Sequence, residues 1–188
     1  MEMRDGSRGS DAGYSLIEMM LVVCVIGILG AMAVLQIGAA RPSLEADGAM
    51  RVVMAQLNTA RERALTERRQ VEVAFPNDTI RLTRREVPNG TTVLANVGME
   101  GGVRFTTFAG PSDTPDAFGN LGAISFGAAA TVMFGSDGML IDGGGSPING
   151  TVFLSVPNAP HTFRAVTVQG STGRVRAYRW NGTAWTRV

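Results

Sequence analysis

Residues 13–32 read GYSLIEMMLVVCVIGILGAM, and this stretch decides how the N-terminal part of the chain folds. Between Tyr14 and Ala40, Glu18 has the only side chain that is charged at neutral pH. A helix needs roughly 20 consecutive apolar residues to cross the hydrocarbon core of a bilayer, and this run is longer than that. The sequence therefore predicts a membrane-spanning helix over residues 14–40.

The segment in front of the apolar run, MEMRDGSRGSDAG at residues 1–13, is short and polar. A secretory signal peptide has an apolar region of about 7 to 15 residues followed by an A-x-A-like cleavage site, and neither feature is present here. The segment carries Arg4 and Arg8 against three acidic side chains, which weakly favours a cytoplasmic location. We therefore expect a cytoplasmic leader, with the rest of the chain beyond the membrane.

Glu18 is the feature that a plain membrane anchor does not explain. An ionised carboxylate in hydrocarbon is costly unless it has a partner, and the run from Tyr14 to Ala40 contains no Arg, Lys or His. Cleavage after Gly13 would create a partner, because the α-amine of Tyr14 would have a pKa of about 8 and be largely protonated. That amine would lie one helical turn from Glu18 in the same chain, or opposite it between two staggered chains. The alternative is that Glu18 lies in the headgroup region at the end of an ordinary anchor.

The pattern G-Y-S-L-I-E-M resembles the N-terminal signal of type IV pilins and type II secretion pseudopilins, in which a glycine, an aromatic residue and a glutamate precede a long apolar helix. The resemblance implies cleavage between Gly13 and Tyr14 by a prepilin peptidase, and N-methylation of Tyr14, which replaces the usual phenylalanine. It also implies that Glu18 pairs with the amine of a neighbouring subunit during filament assembly. The implied partners are other pilin or pseudopilin subunits, the peptidase, an inner-membrane assembly platform and membrane lipid.

After Ala40 the chain predicts the second half of the same helix, over residues 41–69, in which Pro42 permits a kink or a break. Apolar side chains recur at three- and four-residue spacing, with charged side chains opposite them, as is typical of an amphipathic helix. The apolar positions are Met50, Val53, Met54, Leu57, Ala60, Ala64 and Leu65. We expect this stripe to pack on a sheet, since it lasts too few heptads for a coiled coil. A solvated face is expected for Arg61, Arg63, Arg68 and Arg69.

From Gln70 onward the period of the apolar pattern changes to two. Strands are predicted for QVEVAF, TIRLTRREV, TTVLANV, VRFTTF, TVMFGSDGML, TVFLSV, TFRAVTVQ and RVRAYRW, with turns at PND, PNG, SDG and STG. This spacing indicates antiparallel sheet, and together with the helix it predicts an α+β fold. The glycine-rich segments FAGPSDTPDAFGNLGAISFG and IDGGGSPING are expected to be loops.

The same part of the chain resembles the GspH/FimT branch of minor pilins and pseudopilins, through ARERALTERRQVEVAF, FGSDGML and STGRVRAYR. The resemblance implies a type IV pilin-like fold, in which a long N-terminal helix, transmembrane in its first half and amphipathic in its second, packs on antiparallel β-sheets. Residues 14–40 would span the bacterial inner membrane once, and residues 70–188 would form a periplasmic body. The implied function is that of a minor pilin or pseudopilin subunit, assembled after leader cleavage and N-methylation into a type II secretion pseudopilus or a type IV pilus.

Residue types argue against an enzyme, a metal centre or a cofactor site. The formal net charge is +1, and the single cysteine, Cys24, excludes an intramolecular disulfide and a Cys/His metal framework. His161 is the one histidine and falls in a loop, so no catalytic arrangement can be assembled around it. Asp137 and Asp142 could help to hold a calcium ion, but their segment lacks the alternating oxygen ligands of an EF-hand loop, and turn formation explains both.

The C-terminal segment after His161 holds five arginines and no acid, a local charge of about +5 that is typical of a surface for an anionic partner. These arginines are Arg164, Arg174, Arg176, Arg179 and Arg187. Alternation along GRVRAYRW predicts that two of them share one face of a strand with two aromatic rings. That face would contain Arg174, Arg176, Tyr178 and Trp180.

DNA is the anionic partner that this pattern favours, because arginine forks bind phosphates and aromatic rings stack on bases. The segment GRVR at residues 173–176 also matches the G-R-x-R motif of FimT-type minor pilins that capture DNA for natural transformation. The resemblance predicts DNA contacts by Arg174, Arg176, Tyr178 and Arg179. The alternative is a hairpin turn followed by an exposed sheet edge, whose arginines discourage edge-to-edge pairing.

Overall fold

One long helix, α1 (Leu16–Glu67), begins the fold and contains Pro42. The computed structural model describes residues 14–107, 110–127 and 132–188, apart from the side chains of residues 34–37 and 39. Both ends of α1 lie within two residues of the predicted bounds. Pro42 does not break the helix, because its missing N–H removes a single hydrogen bond while the turns on either side keep theirs.

The chain divides into two compact units, and the boundary lies between Ala40 and Arg41. In the first unit, the 18 residues Leu16–Ala33 are long and apolar enough to cross a membrane, and none of them is buried. The leader and its predicted cleavage residue Gly13 lie outside the described residues. The second unit is a folded body with its own hydrophobic core.

The described part of the body contains two five-stranded antiparallel sheets. The strands are β1 (Val71–Ala74), β2 (Thr79–Arg85), β3 (Thr91–Gly98), β4 (Ile124–Ser125), β5 (Val132–Phe134), β6 (Leu140–Asp142), β7 (Gly150–Leu154), β8 (Arg164–Gln169), β9 (Arg174–Trp180) and β10 (Trp185–Arg187). The strand order is β3-β2-β1-β5-β6 in the first sheet and β10-β9-β8-β7-β4 in the second. The predicted α+β class, with a long helix packed on antiparallel sheets, is confirmed.

Three details of the strand prediction are wrong. The described residues of VRFTTF form no strand, since Arg104 makes an isolated bridge with Ser155 and the Phe105 N–H donates to the Asp78 carboxylate at 2.8 Å. Conversely, β4 lies in a segment that was expected to be a loop, and β10 was not predicted. Both short strands exist because they pair with β7 and β9, which a local pattern does not show.

The larger of two hydrophobic clusters among the described residues joins the second half of α1 to both sheets. The helix contributes Met50, Val53, Leu57, Ala60 and Ala64, while the sheets contribute Val71, Ile80, Leu82, Phe134, Val152, Leu154, Val166 and Val168. The predicted helical stripe is therefore the buried face, except that Met54 is only partly buried and Leu65 is exposed. Burying one large apolar side chain contributes about 1.5 to 3 kcal/mol, so this contact holds the helix on the body.

The charged face of α1 is partly engaged by the first sheet. Glu67 pairs with Arg63 at 2.9 Å and with Arg84 of β2 at 2.6 Å. Hydrogen bonds from Arg84 and then Arg63 hold the pKa of Glu67 below its ordinary value. The Nε of Arg61 donates to the carbonyl oxygen of Gly138 at 3.2 Å. Arg61 therefore contacts the body and does not belong to the predicted solvated face.

Gly173, in the turn between β8 and β9, lies where the helix and two hairpins meet. Its φ is +63°, and a Cβ at this position would lie 2.1 Å from the carbonyl oxygen of Gly138 and 2.7 Å from the Nε of Arg61. A backbone oxygen cannot retreat from such a contact as the end of a flexible side chain can. The glycine of the GRVR segment therefore has a structural reason to be glycine.

We predict that Gly173→Ala destabilises the body far more than Gly102→Ala does. Gly102 has a similar φ of +73°, but a Cβ there would meet nothing within 4 Å. Gly102→Ala, the control, should lower the free energy of unfolding by about 1 to 2 kcal/mol, because alanine is strained in the left-handed backbone conformation. Gly173→Ala should lower it by several kcal/mol more or prevent folding. Urea unfolding followed by circular dichroism measures both, and equal losses of stability would show that the close approach at Gly173 is unimportant.

Candidate functional site

The start of α1 presents Tyr14 and Glu18 at the edge of the apolar surface. Glu18 lies in the first turn of the helix, where a negative charge is favoured by the helix dipole. Tyr14 is 75% exposed, and the Met19 N–H donates to the carbonyl oxygen of Ser15 at 3.1 Å, so the helical hydrogen bonds begin beside it. Within the described residues Glu18 forms no ion pair.

The surface that follows Glu18 is apolar on every side of the helix. All large apolar side chains of Leu16–Ala33 are exposed, and Cβ atoms added at Gly27 or Gly30 would meet nothing within 4 Å. A helix that is apolar all round requires a lipid or protein environment. Small residues on such a helix let another helix approach closely.

The C-terminal arginines are largely used inside the body. Arg164 of β8 is fully buried, and its Nε pairs with Asp47 of α1 at 2.6 Å. Its other nitrogens donate to the Ser43 hydroxyl at 3.0 Å and to the carbonyl oxygens of His161 and Phe163 at 3.1 and 3.0 Å. The second oxygen of Asp47 accepts from Arg179 of β9 at 2.6 Å. Asp47 therefore ties the helix to two strands of the second sheet.

Arg176 and Tyr178 converge on a second acid, Asp116, in the segment before β4. Arg176 forms an ion pair with one oxygen of Asp116, while the other accepts from the Thr167 and Tyr178 hydroxyls at 2.6 and 3.0 Å. Tyr178 is only 4% exposed. The prediction that its ring lies on an open face and can stack on bases is therefore wrong, since the ring packs in the body and its hydroxyl is occupied.

The contacts at Asp116 shift the pKa values of the groups that take part in them. Burial alone raises the pKa of Asp116, but hydrogen bonds from Thr167 and Tyr178 and the charge of Arg176 outweigh it and hold that pKa below the ordinary carboxyl value. Burial, reinforced by the bond to Asp116, raises the pKa of Tyr178. Asp116 is thus ionised and Tyr178 protonated at neutral pH.

The remaining members of the predicted DNA surface are separated. Arg174 and Arg187 are exposed and form no ion pair with another described residue. Trp180 is partly buried and packs edge-on against Trp185 at 5.2 Å between ring centroids. With Asp47 and Asp116 counted, the local charge falls from five positive charges to three. DNA binding by Arg174, Arg176, Tyr178 and Arg179 stays a prediction, without the open face on which it depended.

Sequence reasoning missed Asp47 and Asp116, the acids that neutralise the C-terminal arginines. They lie 117 residues before Arg164 and 60 residues before Arg176. For Asp47, the one available signal was its position on the helix three residues before Met50. That signal is weak, because the same helix carries several other acidic residues. Long-range ion pairs are therefore found only once the sheets are assembled.

His161, Asp137 and Asp142 occupy structural positions in turns. His161 is exposed in a 3-10 turn (Pro160–Thr162). Asp137 accepts the Met139 N–H at 3.0 Å, and Asp142 accepts the N–H groups of Gly144 and Ser146, each at 2.9 Å. No group of three or more metal-ligating side chains occurs among the described residues. Both carboxylates thus act as turn acceptors.

Comparison with known proteins gives one structural likeness. No protein-family model matches the chain, and no curated protein shows a significant match. Among solved structures, the chain is similar to that of the minor pseudopilin EpsH from the type 2 secretion system of Vibrio cholerae. The two are 14% identical, the match covers 74% of this chain and 99% of the other, and the TM-score is 0.47. Function must accordingly be argued from the residues of this chain.

We predict that Asp47→Ala lowers the free energy of unfolding by about 3 to 5 kcal/mol, because it leaves the buried charge of Arg164 without a counter-ion. The matched control is Arg41→Ala, which removes an exposed pair with Glu45 on the same helix and should cost less than about 1 kcal/mol. Urea unfolding of the detergent-solubilised chain measures both. Similar small losses for the two variants would mean that Asp47 does not hold the sheet to the helix.

A second prediction concerns acid stability. Because the pKa of Asp116 is lowered in the folded chain, its pairing stabilises the body above the unfolded carboxyl pKa of about 4 and is lost as the pH falls below it. Asp116→Asn should therefore be less stable than the parent at pH 7, and the difference should shrink between about pH 4 and pH 2. Thermal melting across this range measures it, with Glu62→Gln as an exposed control. A difference that is independent of pH would contradict the ion pair.

Proposed function

We propose that this chain is a minor pilin or pseudopilin subunit that is anchored in the bacterial inner membrane and then assembled into a type II secretion pseudopilus or a type IV pilus. The observation that carries the proposal is the complete exposure of Leu16–Ala33, next to one acid in the first turn of α1. The body buries its own apolar stripe on two sheets, so it leaves this surface for lipid and for other subunits.

The two environments place different demands on Glu18. In a membrane, the apolar side chains are satisfied by lipid, and Glu18 is tolerated near the headgroups. In a filament, the same side chains pack on neighbouring helices, and Glu18 then needs a cation. Cleavage between Gly13 and Tyr14 supplies one, because the new α-amine is largely protonated at neutral pH. N-methylation of Tyr14 keeps that charge.

Neighbouring helices in the filament would be held by van der Waals packing, with Gly27, Gly30 and Ala31 permitting close approach. The Glu18 to Tyr14 pair between two chains would then set how far one helix is displaced along the next. The work of the subunit is therefore mechanical and does not involve a reaction. Its partners are a prepilin peptidase, an assembly platform in the inner membrane and other subunits, and its body lies in the periplasm.

We predict that Glu18→Ala inserts in the membrane and is processed normally but enters filaments at least about tenfold less well, since a lost interaction of 1.4 kcal/mol already changes an equilibrium tenfold. The matched control, Glu62→Ala, removes an exposed glutamate from the second half of α1 and should assemble like the parent. Immunoblots of sheared filament and membrane fractions give both amounts. Normal incorporation of Glu18→Ala into filaments would contradict the proposed role of Glu18 in assembly.

A further inference from the structure

The edges of the two sheets differ in how they are protected from other strands. The edge strands β4, β10 and β6 are short, with two, three and three residues. In β6, the backbone of Leu140 is already hydrogen-bonded to Gly170 and Ile148. The part of β9 that β10 leaves open carries the exposed Arg174, and charge discourages strand addition. In contrast, β3 is an eight-residue edge, TTVLANVG, with no charge and no proline.

The outward backbone groups of β3 follow from its register with β2. The Met99 N–H donates to the Asp78 carbonyl at 3.0 Å, and the Glu86 N–H to the Gly90 carbonyl at 2.9 Å, which marks hydrogen-bonded positions at both ends of the pair. Alternate residues of an antiparallel strand turn their N–H and C=O groups to opposite sides. The register of β2 with β3 shifts at a bulge between Leu82 and Thr83. The residues of β3 that turn their backbone groups away from β2 are therefore Thr91, Val93, Asn96 and Gly98, and all four are exposed.

A groove of about 470 Å³ adjoins the C-terminal end of this edge. Val97 and Met99 form one wall, and Ala49 and Val52 of α1 form the other. Gly48 leaves open space, since a Cβ there would meet nothing within 4 Å. A strand added to β3 turns every second side chain toward the helix side of the sheet, so the groove would receive an apolar side chain of that strand.

Charges around the edge indicate what the added strand carries. Glu100 lines the groove together with Arg41 and Glu45, which pair with each other at 2.7 Å. Arg81 lies on the outer face of β2 opposite Asn96. Glu100 and Arg81 are both exposed, and neither forms an ion pair with a described residue. Strand β3 itself contains no charged side chain, so in a pair of two β3 strands neither charge would meet an opposite charge on the added strand. A basic residue near Glu100 and an acidic residue near Arg81 would match both.

We propose that β3 is a docking edge for an extended segment of a different polypeptide, which adds as a sixth strand to the first sheet. Backbone hydrogen bonds to the outward groups of β3 would give affinity, and the groove and the two flanking charges would give specificity. The docking edge lies wholly in the body, so it does not rest on the proposed function of the N-terminal helix.

The test places the photo-reactive residue p-benzoylphenylalanine at Val93 on the edge, or at Val52 in the groove, of the full-length chain in its native host. Val188 is the control position, because it is 62% exposed and Val93 is 60% exposed. Products from Val93 and Val52 should map by mass spectrometry to one short segment of one other protein, at about ten times the yield from Val188. Products that map to different segments, to a second copy of this chain, or at the control yield would overturn the proposal.

A substitution separates strand addition from loose contact. Val93→Lys puts a charge on the edge and should reduce the Val52 product about tenfold, whereas Val93→Thr keeps the branched shape and should leave it unchanged. Both side chains lie on an exposed position, so both variants should melt like the parent, and insertion in the membrane should be normal. An undiminished Val52 product in Val93→Lys, with folding intact, would overturn the proposal while leaving the filament role untouched.

Discussion

The exposed apolar start of α1 is the constraint on which the rest of the account depends. None of the residues Leu16–Ala33 is buried, and so large an apolar surface is unstable in water. Lipid satisfies the side chains but penalises the charge of Glu18, and neighbouring helices satisfy both only if they bring a cation. In the proposed function, membrane insertion first covers this apolar surface with lipid. Leader removal and assembly then cover it with neighbouring helices that also supply a cation for Glu18.

In the body, by contrast, three of the five C-terminal arginines are paired within the chain. Asp47 neutralises Arg164 and Arg179, and Asp116 neutralises Arg176, so a C-terminal segment rich in arginine becomes part of the packing between α1 and the second sheet. Arg174 stays exposed on the part of β9 that β10 does not cover, where its charge discourages strand addition. Strand β3 carries no charge and no proline, and this difference between two edges of one body is the basis of the proposed docking edge.

Features encoded by neighbouring residues were predicted from the sequence, and features made by distant residues were not. The apolar run, the helical stripe around Val53 and Leu57, and the α+β class all follow from local periods. The alternation along β9 correctly separated two faces but did not show that Tyr178 is covered. Its partner Asp116 and the short strand β10 become visible only when the second sheet is assembled, because their contacts span loops without a regular pattern.

The central claim is that proteolysis creates the counter-ion of Glu18. Intact-mass and N-terminal peptide analysis of the chain purified from native membranes tests it most directly. The account predicts a mature chain that begins at Tyr14 with a methylated amine. A chain that still begins at Met1 would leave Glu18 without its cation and reduce α1 to a simple anchor.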